Sequence, residues 1–90
     1  MNKLKANDRF NIYELNGKHI SYGKMLDDNR LSVFDLDGDA ISFGDFVRDN
    51  RFNIYDIDSN RLISHGVFTS ENRFEIYDND GKHVGYGSKT

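Results

Sequence analysis

The chain has no cysteine among its 90 residues. That excludes a disulfide framework, a thiolate nucleophile and a cysteine-bound metal, and it leaves a reducing cytoplasmic setting as the expected location. Proline is also absent, so no strand is barred from a hydrogen-bonded ladder by a missing N–H. No segment approaches the roughly 20 apolar residues that carry a helix across a bilayer. The opening MNKLKAND has two lysines with no apolar run behind them, so neither a transmembrane segment nor a secretory signal is expected. An excess of positive charge is missing too. Twelve Lys and Arg stand against fifteen Asp and Glu, a formal net charge of −3. This balance argues against nucleic acid or an anionic membrane as partner, because phosphate binding needs a positive field. Apolar residues make up only 37%. For one short domain that is a thin surplus, and repetition, closure or oligomerisation is expected to supplement it.

What the chain does contain is one motif written four times. RFNIYELNGKHISYG runs from Arg9 to Gly23 and RLSVFDLDGDAISFG from Arg30 to Gly44. RFNIYDIDSNRLISHG runs from Arg51 to Gly66 and RFEIYDNDGKHVGYG from Arg73 to Gly87. The leading arginines are 21, 21 and 22 residues apart, which divides a single domain, 1–90, into repeats 7–27, 28–48, 49–70 and 71–90. Each repeat reads as strand, tight turn, strand, loop, with aromatic and β-branched residues in the strands. No segment has a helical period.

Asn16-Gly17, Asp37-Gly38 and Asp80-Gly81 predict two-residue hairpin loops with φ > 0 at both positions. The third repeat, with Asp58-Ser59-Asn60, predicts a three-residue loop with Asn60 left-handed. Counting outward from Asn16-Gly17, Leu15 faces Lys18, Glu14 faces His19, Tyr13 faces Ile20, Ile12 faces Ser21 and Phe10 faces Gly23. Side chains alternate across a strand. One face therefore collects Phe10, Ile12, Ser21 and Gly23, and their equivalents in each repeat. The other collects Arg9, Tyr13, Ile20 and Tyr22, and theirs. Three-residue loops between repeats (27–29, 48–50 and 70–72) place Met25 opposite Leu31, Phe46 opposite Phe52 and Phe68 opposite Phe74.

The expected fold is all-β, an eight-stranded antiparallel meander built from four β-hairpin repeats. Both faces are partly apolar, and an open single layer would leave one wet at about 25 cal/mol per Å². The sheet can stay open and curve, close into a barrel with Phe, Ile and Gly inside, or form a homodimer through one stripe. Glycine at one fixed strand position in all four repeats fits the first two equally. If the sheet is open, its outer strands, near Asp8 and at Ser88-Lys89-Thr90, offer edges for pairing.

The turn and second strand, NGKHISYG at Asn16 to Gly23 and DGKHVGYG at Asp80 to Gly87, resemble the MORN repeat. Gly81, Gly85 and Gly87 match its glycines, as do Gly17 and Gly23, Gly38 and Gly44, and Gly66 in the third repeat. Ile12 and Glu14 stand where that family has a glycine and usually a tryptophan. The resemblance implies an open, elongated sheet serving as a scaffold or protein-binding surface, sometimes with lipid contacts, and no catalysis.

Four groups of residues are candidates for function. Asp35, Asp37 and Asp39, Asp56 and Asp58, and Asp78 and Asp80 cluster at the turns, and Ca²⁺ favours several oxygen ligands. The bidentate glutamate of a calcium loop is lacking, and Asp is a good turn residue in its own right, so no metal or cofactor site is expected. His19 opposite Glu14 and His83 opposite Asp78 could serve acid–base chemistry, but such cross-strand pairs are ordinary sheet stabilisers. Sheet closure would bring the two pairs together. Arg9, Arg30, Arg51 and Arg73 could bind phosphate by stacking and charge, but Asp8, Asp28, Asp49 and Glu71 largely cancel their field, which favours a structural role over rings and loop carbonyls. The stripe of Tyr13, Tyr22, Phe34, Phe43, Tyr55, His65, Tyr77 and Tyr86 is either core or, with the four arginines, an interaction surface.

The expected function is therefore a non-enzymatic protein-interaction module. A small acidic inhibitor or adaptor docking on a larger protein, as phages and mobile elements encode, has this profile. Carbohydrate or calcium binding is the alternative, and an enzyme using the His–carboxylate pairs ranks last.

Overall fold

The structure, a computed structural model, describes residues 7–27 and 29–90; Asp28, one of the acids set beside the arginines, lies outside them. Eight strands follow one another: β1 (Arg9–Glu14), β2 (His19–Met25), β3 (Arg30–Asp35), β4 (Ala40–Arg48), β5 (Arg51–Asp56), β6 (Leu62–Ser70), β7 (Arg73–Asp78) and β8 (His83–Lys89). Each is antiparallel to the next, and β8 returns to β1, so the meander closes into a barrel. Its extents, 26 × 24 × 23 Å, are nearly equal. The open, elongated sheet that the MORN resemblance implied is not the arrangement formed. The strand edges near Asp8 and Ser88 to Thr90 pair with each other and are not free for a partner.

The seam repeats an ordinary junction between hairpins. β1 and β8 match Phe10 with Lys89, Ile12 with Gly87 and Tyr13 with Tyr86. β2 and β3 match Leu31 with Met25, Val33 with Gly23 and Phe34 with Tyr22. The Thr90 N–H donates to the Arg9 carbonyl at 2.9 Å, just as the Leu26 N–H donates to that of Arg30. Closure therefore satisfies both edge ladders in the register of β2 against β3, and none of the eight strands keeps an unpaired row of N–H and C=O groups.

The interior is the Phe/Ile/Gly face. Phe10, Ile12, Leu31, Val33, Phe52, Ile54, Phe74 and Ile76 are buried on the first strands of the hairpins, and Met25 and Phe68 on the second. Phe10 lies against Gly23, Phe52 against Gly66 and Phe74 against Gly87, each ring occupying the space a Cβ would need. Leu31 lies against Gly44 less tightly, 3.0 Å from the position of a Cβ, with the Asn53 carbonyl beside it at 3.1 Å. The rings then meet edge to face, Phe10 with Phe74 at 5.0 Å and Phe74 with Phe52 at 5.1 Å. Aromatic contacts of this geometry add about 0.5–1.5 kcal/mol beyond area burial.

The expected pairing holds from Phe10–Gly23 to Ile12–Ser21, as do Met25–Leu31, Phe46–Phe52 and Phe68–Phe74. Nearer the turns it does not. The Gly17 N–H donates to the Glu14 carbonyl and the Glu14 N–H to the Lys18 carbonyl. Among Leu15, Asn16 and Gly17 only Gly17 has positive φ, at 90°. The loop is thus a three-residue type I turn with a left-handed glycine, not the expected two-residue turn with φ > 0 twice. Gly38 and Gly81 repeat it. The third hairpin loop has four residues, Ile57 to Asn60, not the expected three, and Asn60 is left-handed at φ 59° as expected.

The extra loop residue is absorbed by a bulge. Tyr13 pairs with His19 while Ile12 pairs with Ser21, which leaves Ile20 unpaired between them. Ile41, Ile63 and Val84 are bulged in the same way. Two of the loops between repeats also differ from expectation. Arg48 pairs with Arg51 and Ser70 with Arg73, so these loops are Asp49-Asn50 and Glu71-Asn72, with Val47 and Thr69 bulged.

Placing a methyl group at Gly87 drives it into the Phe74 ring, which is walled by Phe10 and Phe52. Gly87→Ala is expected to cost about 1–3 kcal/mol by overpacking. Combining it with Phe74→Leu, the pairing already used at Leu31 and Gly44, should cost less than the two single changes added together. Denaturant unfolding of the four proteins in the cycle measures this, and strict additivity would show that the ring does not sit on the glycine.

Candidate functional site

The candidate interaction residues Tyr13, Tyr22, Phe34, Phe43, Tyr55, His65, Tyr77 and Tyr86 are all half-buried on the outside of the barrel. They do not form the core. They stack in pairs across the junctions between hairpins: Tyr13 with Tyr86 at 5.1 Å, Tyr22 with Phe34 and Phe43 with Tyr55 at 5.4 Å, and His65 with Tyr77 at 5.5 Å. The belt is thus four staples, one per junction, the seam included. Arg9 covers Tyr22, Arg30 covers Phe43 and Arg73 covers Tyr86, at 5.4, 5.4 and 4.2 Å from the ring centres. Arg30 also bonds Asp45 at 3.0 Å. In the third repeat His65 replaces the covered ring, so Arg51 has no tyrosine or phenylalanine there to lie over.

The bulges break up the expected His–carboxylate pairs. His19 lies against Tyr13 at 5.2 Å, and Glu14 instead faces Lys18 across the turn. The His19 Nε2 is buried without a hydrogen-bond partner. His83 lies against Tyr77, and its Nε2 meets Glu75 Oε1 at 2.9 Å rather than Asp78. Closure therefore does not assemble the two histidines around shared carboxylates. The turn aspartates accept backbone N–H groups instead. Asp35 Oδ1 takes those of Asp37 and Asp39, and Asp78 Oδ1 takes those of Asp80 and Lys82. Asp56 Oδ2 accepts from Ser59 N and Oγ and from Asp58 N, which holds its carboxyl below the usual range. Among the described residues no three His, Asp or Glu side chains converge to hold a metal ion.

The feature that sequence reading missed is the turn end of the barrel. Of the ten large apolar side chains left exposed among the described residues, eight are there: Leu15, Leu36 and Ile57 in the turns, Ile20, Ile41, Ile63 and Val84 at the bulges, and Leu62 beside them. Alternation alone had set Ile20, Ile41, Ile63 and Val84 on the tyrosine face. The bulge tips the three isoleucines over the barrel mouth, where they rim a hollow of about 210 Å³. Its walls are Ile12, Val33, Ile54 and Ile76, with Ser21, Ser42 and Ser64 between them. The sequence did carry one signal for this. In Asp35-Leu36-Asp37-Gly38, aspartate stands first and glycine fourth, the preference of a type I turn. A second depression, of about 220 Å³, lies at the opposite end, beside the seam, between Arg9, Phe10, Asn11, Tyr22 and Thr90.

No family model and no curated protein sequence matches the chain. Among solved structures it is similar to a redesigned β-barrel, at 12% identity over 98% of this chain and 91% of that one, with a TM-score of 0.47. No helix among the described residues is long and apolar enough to cross a membrane.

Glu75 gives the outer face one measurable electrostatic signature. A hydrogen bond from Arg73 Nε at 2.7 Å, the Arg73 charge and the His83 contact hold its carboxyl below the usual range, against partial desolvation. A depressed carboxylate pKa adds stability that is present above the unfolded-state value and lost as pH falls through the folded one. Glu75→Gln is expected to lower stability at neutral pH by up to about 1 kcal/mol, since its partners are partly exposed. The gap from the parent should close on acidification. Unfolding titrations from neutral to acid pH measure it, and a gap independent of pH would trace the loss to packing.

Proposed function

We propose that the protein is a non-enzymatic binding module, an inhibitor or adaptor in kind, that docks a partner protein on the turn end of its barrel. The observation that carries this reading is the segregation of exposed apolar side chains. A closed barrel has no further use for Leu15, Leu36 and Ile57 at its turn tips, where polar residues are the rule. A contiguous apolar patch rimmed by polar groups marks a partner surface. The aromatic belt is the less suitable surface, because its rings are already stacked on one another and three are covered by arginines.

The charge around the patch says what it fits. Glu14, Asp35, Asp37, Asp39, Asp56, Asp58, Asp78 and Asp80 lie at this end against Lys18, Arg61 and Lys82. A complementary partner presents an aliphatic or aromatic anchor flanked by lysine or arginine.

Selection from a displayed peptide library tests this. The parent protein is expected to enrich peptides with an apolar anchor beside basic residues, and Leu36→Asp with Ile57→Asp should lose them while keeping the parent circular dichroism. Enrichment of acidic peptides, or undiminished binding by the double variant, would reject the reading. A mass that doubles with concentration, and no longer does so in the double variant, would assign the patch to a second copy of the chain instead.

A further inference from the structure

The barrel is packed unevenly along its axis. At the loop end Phe46, Phe52, Phe68 and Phe74 fill the interior, with ring centres 5.1–6.1 Å apart. At the turn end the inward positions on the second strands are Ser21, Ser42, Ser64 and Gly85. These four are small, and the three serines line the hollow of about 210 Å³. Glycine is required at the fourth position by the seam, where a Cβ on Gly85 would come within 2.5 Å of the Tyr13 carbonyl oxygen. No such constraint explains the serines, since an apolar residue in their place would fill the core.

We propose that this hollow is a binding site for a small uncharged molecule with an apolar body and a single hydroxyl or comparable polar group. The size is sufficient, because apolar protein cavities of about 150 Å³ already take up benzene. The chemistry of the wall sets the class. Ile12, Val33, Ile54 and Ile76 offer aliphatic surface, and the hydroxyls of Ser21, Ser42 and Ser64 are the polar side-chain groups of the lining. A hydroxyl both donates and accepts, so three of them can meet one small polar head in several orientations. A carboxylate is disfavoured twice. The wall has no cation to pair with it, and the acidic turns surround the entrance. The mouth between Ile20, Ile41 and Ile63 gives access through apolar side chains alone. The mouth shares Ile20, Ile41 and Ile63 with the apolar turn end of the docking reading above, whereas the walls of the hollow lie inside the barrel, away from the turn tips Leu36 and Ile57.

The probes are benzyl alcohol and benzoate, followed by NMR of the isoleucine and valine methyl groups in the full chain at neutral pH. Benzyl alcohol is expected to give saturable shifts at Ile12, Val33, Ile54 and Ile76, with benzoate weaker by about tenfold or more, roughly 1.4 kcal/mol. Ser42→Leu projects a larger side chain into the hollow and should weaken benzyl alcohol by a similar factor. Ser64→Val is the milder version, should Ser42→Leu fail to fold. The pair Leu36→Asp and Ile57→Asp should leave benzyl alcohol binding in place, which separates this site from partner docking. The proposal is overturned by shifts that do not saturate or that centre on the tyrosine belt, by equal binding of benzoate, or by unchanged affinity in the folded serine variants.

Discussion

A phenylalanine ring lying on a glycine of the neighbouring strand is the contact on which the rest of this barrel depends. It recurs at Phe10 and Gly23, Phe52 and Gly66, and Phe74 and Gly87, with Leu31 and Gly44 as the fourth member. Each ring occupies volume that a Cβ would otherwise hold, so large side chains fit inside a barrel of only eight short strands. Closure then determines the outside. Once Phe and Ile turn inward, Tyr13, Tyr22, Tyr55, Tyr77 and Tyr86 face outward and gain cover only sideways, by stacking across junctions and under arginine. The aromatic belt is a consequence of the core and clamps each hairpin to the next.

How far the sequence could be read depended on distance from the turns. Strict alternation gave the opposition of Phe10 to Gly23 and of Phe46 to Phe52, because burial forbids a one-residue slip along a half-buried strand. Next to the turns that argument weakens. Asn16-Gly17 suits a two-residue loop, but it equally suits the last two places of a three-residue loop, in which Asn16 keeps negative φ and the pairing next to the turn shifts by one residue. Asp35 and Asp78 capture turn N–H groups in their loops, but the first repeat forms the same loop with Glu14 in that place and Asn16 Oδ1 accepting the Lys18 N–H. Each loop holds one residue more than its turn residues predict. That single residue moved His19 from Glu14 to Tyr13 and carried Ile20, Ile41, Ile63 and Val84 toward the barrel mouth. Closure was undecidable from glycine spacing, since curvature and close packing require the same residue. It became evident only in the register of β1 against β8.

The two ends of the barrel have diverged on a shared repeat. At the loop end Met25, Phe46 and Phe68 seal the interior, and in the fourth repeat Lys89 takes the equivalent place and pairs with Asp8 at 3.2 Å. At the turn end the equivalent inward places hold three serines and a glycine, under a rim of exposed aliphatic residues ringed by carboxylates. The turn end is the more uniform of the two, and the loop end is where the repeats differ, from Met25 through Phe46 and Phe68 to Lys89.

The seam has a consequence for how such a chain can be ordered. Because β8 meets β1 in the register of β2 against β3, and Thr90 bonds to Arg9 as Leu26 does to Arg30, the seam has the form of a covalently joined junction. Positions 7 and 90 could be tied by a short linker that leaves Asn7 and Asp8 bonded to Met25, and the chain opened at Asp49-Asn50 or Glu71-Asn72, to give a circular permutant with every ladder intact. Seen this way, the linear order of the four hairpins is a frame chosen on a ring.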